Sequence, residues 1–195
     1  ILKHYNVEYI VEDKSNHGRQ LDVTFKGILR KEQQTAMSCM LPHNIGTLSA
    51  TTAFGKTVFA IAMIAERKVN TLILVHRKSL LDQWKNHLEN FLEINEVVVN
   101  DGKKRMSKKQ QSPIGTLYSG KNSMHGIIDI ALMQSCFEGN EVSTFVENYG
   151  MVIVDECHHC CDSCVVLKVF KVRAYFLNGL MHLSLHVSGV TFAIH

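Results

Sequence analysis

Proline is scarce in this chain, tryptophan occurs once, and charge of either sign is never dominant. The two prolines, Pro42 and Pro113, leave no proline-rich segment among 195 residues, and neither an internal repeat nor a low-complexity tract is present. No apolar stretch reaches the roughly 18 residues that a spanning helix needs. No secretory signal pattern opens the chain, so a cytoplasmic location is expected by default and no membrane partner is. The six cysteines do not contradict that expectation. A net charge of +3 is too small to imply a nucleic-acid partner by itself. Its one concentrated run, Lys103, Lys104, Arg105, Lys108 and Lys109, reads either as a solvated loop or as a contact to a phosphate backbone. The hydrophobic share, 46%, is enough for a sizeable core and excludes global disorder. The length favours one domain, and a first residue that is Ile1 rather than Met suggests a piece of a longer protein.

Two short segments carry chemistry. Ala50, Thr51, Thr52, Ala53, Phe54, Gly55, Lys56 and Thr57 have the spacing of a phosphate-binding loop. Gly55 permits a tight turn that lets backbone N–H groups face phosphates. Lys56 brings positive charge to the β- and γ-phosphates, and Thr57 offers a hydroxyl to magnesium. A helix starting at this point adds its N-terminal dipole to the anion site. About a hundred residues later, Asp155 and Glu156 directly follow the apolar run Met151, Val152, Ile153, Val154. Asp155 is placed to hold magnesium, usually through water, and Glu156 to polarise an attacking water. A Gly-Lys-Thr tripeptide alone is common, and an acidic pair at a strand end is often only solvated. The two in this order and context point to a nucleotide-hydrolysing motor that uses ATP and Mg2+.

Periodicity supplies the frame. Strands are expected at residues 7–13 and 20–25, around a turn at Asn16, His17 and Gly18. Further strands are expected at 45–50, 71–75, 114–118, 127–133, 150–154 and 173–177. Helices are expected at 30–41, 56–67, 78–91 and 141–148, while 162–170 is ambiguous. Trp84 lies on the apolar face of the third of these with Leu80, Leu81 and Leu88, and is expected in the core rather than stacked on a ligand. Alternating strands and helices imply a parallel sheet with right-handed crossovers, whose ligands bind at the strands' carboxyl ends. The phosphate loop, Arg77, Gln134, Ser135, Asp155 and Glu156 all follow strand ends.

With these residues in view, the chain resembles the first RecA-like domain of superfamily 2 DEAD/DEAH-type helicases. The likeness runs from about residue 5 to residue 180. Residues 50–57 resemble motif I and 155–158 motif II, while 75–84 resemble motif Ia and 129–135 the next nucleic-acid contact motif. Residues 29–36 resemble the upstream motif in which a glutamine reads the adenine edge, with Gln33 at the matching position. A narrower likeness, on residues 49–57, 69–71 and 155–159, is to bacterial helicase-like proteins of phage-conflict type. The resemblance implies an α/β, RecA-like P-loop NTPase domain with a mainly parallel sheet flanked by helices, plus a short N-terminal β-hairpin. It implies that Arg30 and Gln33 sense the base, that His76, Arg77, Gln134 and Ser135 lie near a DNA or RNA backbone, and that His158 couples the ATP site to movement. It also implies a second RecA-like domain, which would carry an arginine finger. The corresponding domain limits are 1–28 for a β-rich extension, 29–180 for the motor domain and 181–195 for a divergent tail.

Two departures from the family pattern stand out. Ala53 stands where glycine is usual, and alanine would be strained there at positive φ. Met181, His182 and Leu183 stand where a Ser/Thr-Ala-Thr coupling motif is expected. They keep open a non-catalytic nucleotide-binding remnant. A third class, a zinc-binding interaction domain, would use Cys157, Cys160, Cys161 and Cys164 beside His158 and His159. Four-cysteine sites usually draw on two separated pairs, so reduced thiols are the reading adopted and no zinc ligand is assigned.

Overall fold

The computed structural model describes residues 16–98, 112–138, 141–156 and 173–178. The expected strand at 7–13, the basic run at 103–109, the cysteine cluster with His158, the segment 162–170 and the tail from 179 lie outside the described residues.

The main sheet is built from β2 (Ile45–Ser49), β3 (Thr71–Val75), β5 (Ile114–Tyr118), β6 (Lys121–Asn122), β7 (Ile128–Leu132), β10 (Met151–Val154) and β11 (Arg173–Asn178). Their spatial order is β2-β11-β10-β3-β7-β5-β6. Every neighbouring pair is parallel except the β5–β6 hairpin. The central strands are unbroken apolar runs, such as Thr-Leu-Ile-Leu-Val in β3, buried at every position. A strand covered on one face would alternate with polar residues, so this pattern requires a cover on both.

The period-2 pleat then divides these residues between two cores. Ile73, Val75, Ile130, Met151 and Ile153 face one way. They meet α2 (Lys56–Arg67), with α1 (Lys31–Met40) and α3 (Lys78–Phe91) beside it. Seven consecutive residues of α2, Phe59 to Ala65, are buried, so it is the central helix of that layer. Leu72, Leu74, Ala131, Val152 and Val154 face the other way, against Cys136, Val142, Val146 and Tyr149. Full burial of each such aliphatic side chain contributes roughly 1.5–3 kcal/mol.

The second cover corrects the sequence reading. The helix expected at 141–148 is a strand, β9 (Glu141–Val142), followed by a 3-10 turn, Thr144–Asn148. β9 pairs antiparallel with β8 (Phe137–Glu138), and Ser143 N donates to the Cys136 carbonyl at 2.8 Å. That bond ties the segment to the preceding turn. Branched Val142, Thr144 and Val146 also disfavour a helix this short. At the amino end, β1 (Val23–Phe25) pairs antiparallel with β4 (Leu92–Ile94), which follows α3 directly. No helix among the described residues is long and apolar enough to cross a membrane.

Two buried polar residues hold the sheet's flanks. Asn70 accepts from Arg19 N and Gly150 N through Oδ1, and its Nδ2 donates to the Gly126 and Asn148 carbonyls. Asp129, fully buried in β7, accepts from Gly126 N at 2.7 Å, His125 N at 3.0 Å and the Tyr149 hydroxyl at 2.6 Å. Gly115 is its register partner on β5. A Cβ at Gly115 would lie 1.9 Å from Asp129 Oδ1 and 2.6 Å from the Ser123 carbonyl. Gly115→Ala must therefore displace a buried carboxylate or the hairpin backbone. We expect a loss of at least about 1–3 kcal/mol in denaturant unfolding; a midpoint equal to wild type would show that this contact has slack.

Candidate nucleotide site

β2 delivers the chain to Ala50, which is buried, and a 3-10 turn at Thr52–Phe54 follows before α2 opens at Lys56. Gly55 makes the junction in the left-handed region, at φ 76° and ψ 48°. Glycine takes that conformation without steric cost, and a Cβ there would come within 3.1 Å of Gln33 Nε2. Ala53 lies inside the 3-10 turn. Among the described non-glycine residues, positive φ occurs at Lys68, Ser119 and Glu156. The alanine in place of glycine is thus unstrained in this conformation.

Three side chains converge on the loop's carbonyl groups. Lys56 Nζ donates to the Ala50 carbonyl at 3.1 Å and, more weakly, to that of Thr51 at 3.5 Å. Gln33 Nε2 donates to the Phe54 carbonyl at 2.7 Å, while its Oε1 accepts from Arg30 N at 2.9 Å. Arg30 Nη2 donates to the carbonyls of Ala53, at 2.9 Å, and Phe54. Gln33 is buried, and both ends of its amide are engaged in joining the start of α1 to the phosphate loop. Thr51 is exposed and Thr57 half-buried.

Asp155 follows β10, is 6% exposed, and has donors on both carboxylate oxygens. Trp84 Nε1 donates to Oδ2 at 2.7 Å, and Glu156 N donates to Oδ1 at 3.0 Å. Burial pushes this carboxyl above its ordinary range and the Glu156 charge adds to the rise; Trp84, the Glu156 amide and the Lys56 charge oppose it. Glu156 sits at φ 52°, a left-handed conformation that costs a non-glycine residue roughly 1–2 kcal/mol. Strain of this kind gathers at functional sites.

Register explains how these groups meet. Phe176 of β11 pairs with Thr47 of β2 on one side and Val154 of β10 on the other. The phosphate-loop strand and the Asp155 strand are therefore two strand spacings apart, roughly 10 Å. β3 and β7 continue the row, with Val154 level with Leu74 and Leu74 level with Ala131. His76 and Arg77 leave β3, and Gln134 and Ser135 leave β7, at this same edge. Arg77 and Gln134 are exposed; His76 and Ser135 are half-buried.

The sequence reading missed two features of this edge. One is the Trp84–Asp155 bond, although a buried indole N–H needs an acceptor. The other is Tyr118, at the end of β5, with Lys78 Nζ 4.7 Å and Lys121 Nζ 5.8 Å from its ring centre. Lys78 also pairs with Asp82 at 2.7 Å. An aromatic residue closing a strand shortly before a lysine was the available signal.

The donor set suits magnesium. A Thr57 hydroxyl and an Asp155 carboxylate are hard oxygen ligands, and magnesium usually takes one or two carboxylates plus substrate phosphates and water. Among the described residues no group of three or more His, Cys, Asp or Glu gathers into a metal cage.

A parallel sheet carrying a glycine-turned phosphate loop on one strand and an acidic pair, Asp155 buried and Glu156 half-buried, two strands away defines a RecA-like P-loop domain. Residues 26–181 match the family described as type III restriction enzyme, res subunit, and the chain belongs to that family. It is 31% identical over 163 residues to the putative helicase 109L of Invertebrate iridescent virus 3, covering 80% of this chain and 45% of that protein. It is 28% identical over 143 residues to the putative helicase 161L of Invertebrate iridescent virus 6, covering 71% and 29%. Over 131 residues it is 26% identical to the DNA 3'-5' translocase XPB2 of Sulfurisphaera tokodaii, covering 67% and 25%. The chain thus spans less than half the length of each of these relatives. Within this group it is the first RecA-like domain of the superfamily 2 helicase type.

The Gln33 bridge yields a direct expectation. Gln33→Ala removes the acceptor of the Arg30 amide and one of the two side-chain donors to the Phe54 carbonyl, which keeps Arg30 Nη2; lost hydrogen bonds of this kind cost about 0.5–1.5 kcal/mol each. Denaturant unfolding should register that loss, and hydrogen exchange should show the Arg30 amide opening faster. Unchanged exchange at Arg30 would mean that the bridge does not hold the loop.

Proposed function

We propose that this domain binds ATP with magnesium and serves as the amino-terminal half of an ATP-dependent nucleic-acid translocase. The observation that carries this reading is that Lys56 opens α2 after β2 while Asp155 and Glu156 follow β10, the two strands that flank β11, with the Lys56 charge acting on Asp155. Lys56 would exchange the carbonyls of Ala50 and Thr51 for the β- and γ-phosphate oxygens. Thr57 and Asp155 would hold the metal, directly or through water. Bound magnesium would neutralise charge on the transferring phosphoryl group. Glu156 would orient the attacking water and receive its proton. Arg30 and Gln33 would sense the base and pass its presence to the loop through the Ala53 and Phe54 carbonyls.

His76, Arg77, Gln134 and Ser135 would face the nucleic acid, with Tyr118 and its lysines beside them. DNA is the partner favoured here, with RNA as the alternative; the archaeal relative carries the name of a DNA translocase. The motor domain would occupy residues 29–180, with 1–28 and 181–195 as flanking segments. Turnover would need a second RecA-like domain, so the isolated chain should hydrolyse ATP very weakly.

The test is magnesium-dependent binding of a fluorescent ATP analogue to this chain and to Lys56→Ala. Loss of a charged hydrogen-bonding partner is worth about 1.5–3 kcal/mol, so binding should weaken by roughly 10- to 150-fold in the variant. A folded wild type that binds no analogue would overturn the reading.

A further inference from the structure

Trp84 has two surroundings at once. Its ring is 1% exposed within the core that α3 makes with the sheet, on a stripe with Leu81 and Leu88. Its one polar atom does not face that core. Nε1 donates at 2.7 Å to Oδ2 of Asp155, 71 residues away in sequence. A phenylalanine or leucine would fill the same apolar space without needing any acceptor, so packing alone does not call for an indole. The acceptor it meets is the carboxylate placed to hold magnesium. With the Glu156 amide on Oδ1 at 3.0 Å, each oxygen of Asp155 has a donor, and the plane of the carboxylate is set before any metal arrives. Each oxygen keeps a further lone pair for metal or metal-bound water.

We infer that Trp84 is a positioning residue for the magnesium site, its indole N–H fixing the Asp155 carboxylate in the orientation that the metal takes. The inference rests on the nucleotide reading above and adds a residue outside the phosphate loop and the acidic pair. It also ties the site to α3. Arg77 caps that helix, and Trp84 lies seven residues further on, or about 10 Å along the axis at 1.5 Å per residue. One helix thus has its amino end at the proposed nucleic-acid edge and its second turn against the metal carboxylate.

The test separates positioning from packing. Wild type and Trp84→Phe are titrated with a fluorescent ATP analogue, in EDTA and across a range of Mg2+, and their melting temperatures are measured. Removing an outer partner of a metal ligand typically weakens metal affinity 10- to 100-fold. We expect Trp84→Phe to need about tenfold more Mg2+ for half-maximal tightening, while its metal-free affinity stays at the wild-type value. An unchanged Mg2+ dependence overturns the inference. So does a parallel loss of metal-free and metal-dependent binding with a lowered melting temperature, which would make the indole core filling. A second readout needs no variant at this position. Trp84 is the single tryptophan, so the protein's own indole emission should shift when Mg2+ joins bound analogue, and the shift should vanish in Asp155→Ala. Emission blind to Mg2+ while analogue binds is evidence against the role even if Trp84→Phe fails to fold. A wild type that binds no analogue at all removes the nucleotide reading and this inference together, a different outcome from any of the others.

Discussion

Parallel register is the constraint on which the rest of this structure depends. In an antiparallel sheet, successive strands would send their carboxyl ends to opposite edges, and Ala50, His76, Gln134 and Asp155 would be scattered. Here β2, β11, β10, β3, β7 and β5 all run the same way. Loops from four strands therefore open on one edge without any long-range side-chain contact being needed to gather them. The cost of parallel pairing is that both faces must be covered. The apolar runs of β3 and β10, and of β7 apart from Asp129, are the sequence's answer, covered among the described residues by α1, α2 and α3 on one side and by short turns on the other.

Among the described residues, two buried carboxylates of this sheet are held in different ways. Asp129 is fully buried, and backbone amides at residues 125 and 126 together with the Tyr149 hydroxyl engage it. Burial, the Asp129 charge and the hydrogen bond all push the Tyr149 hydroxyl far above its ordinary range, so it stays a donor. That arrangement fixes a loop. Asp155 is almost as buried, yet the described residues supply one side-chain or amide donor to each of its oxygens, it lies within the field of Lys56, and it follows its strand instead of lying within it. A carboxylate held this way is oriented but not used up, and orientation with spare lone pairs is what a metal ligand requires.

Much of this was legible in the sequence, and the reasons differ by element. α2, α3, β3 and β5 fall where the apolar periodicity puts them, because each contains a long, unambiguous pattern. Motif spacing singled out Lys56 and Asp155, and the fold brings them close enough for the Lys56 charge to act on the Asp155 carboxyl. The segment 141–148 was misread because Val142, Val146 and Tyr149 have helix-like spacing, while the bond that decides its course comes from Cys136. The β1–β4 pair was invisible for a similar reason. Val23–Phe25 finds its partner after α3, and nothing local in either segment names the other. Gln33 lies between these cases. Its position in the motif was readable, but its hold on the Phe54 carbonyl is a tertiary fact.

That hold is one of several side-chain bonds that tie down the loop before α2. An anion cradle works by presenting N–H groups, yet Lys56, Gln33 and Arg30 are all turned toward the loop's carbonyls. The carbonyls of Ala50, Thr51, Ala53 and Phe54 thereby have side-chain donors, two of them charged (Lys56, Arg30) and one neutral (Gln33). Phosphate oxygens carry formal negative charge, so with the Lys56 ammonium they make an ion pair as well as a hydrogen bond, which a neutral carbonyl does not. Lys56 should accordingly favour an arriving phosphate over Ala50 and Thr51. Gln33 is neutral, buried and already satisfied at both ends, so it lacks the same incentive to leave Phe54. The loop's Lys56 side is then free to respond to phosphate while its Gln33 side stays anchored to α1, and the two ends of one short turn are held by bonds of different kinds.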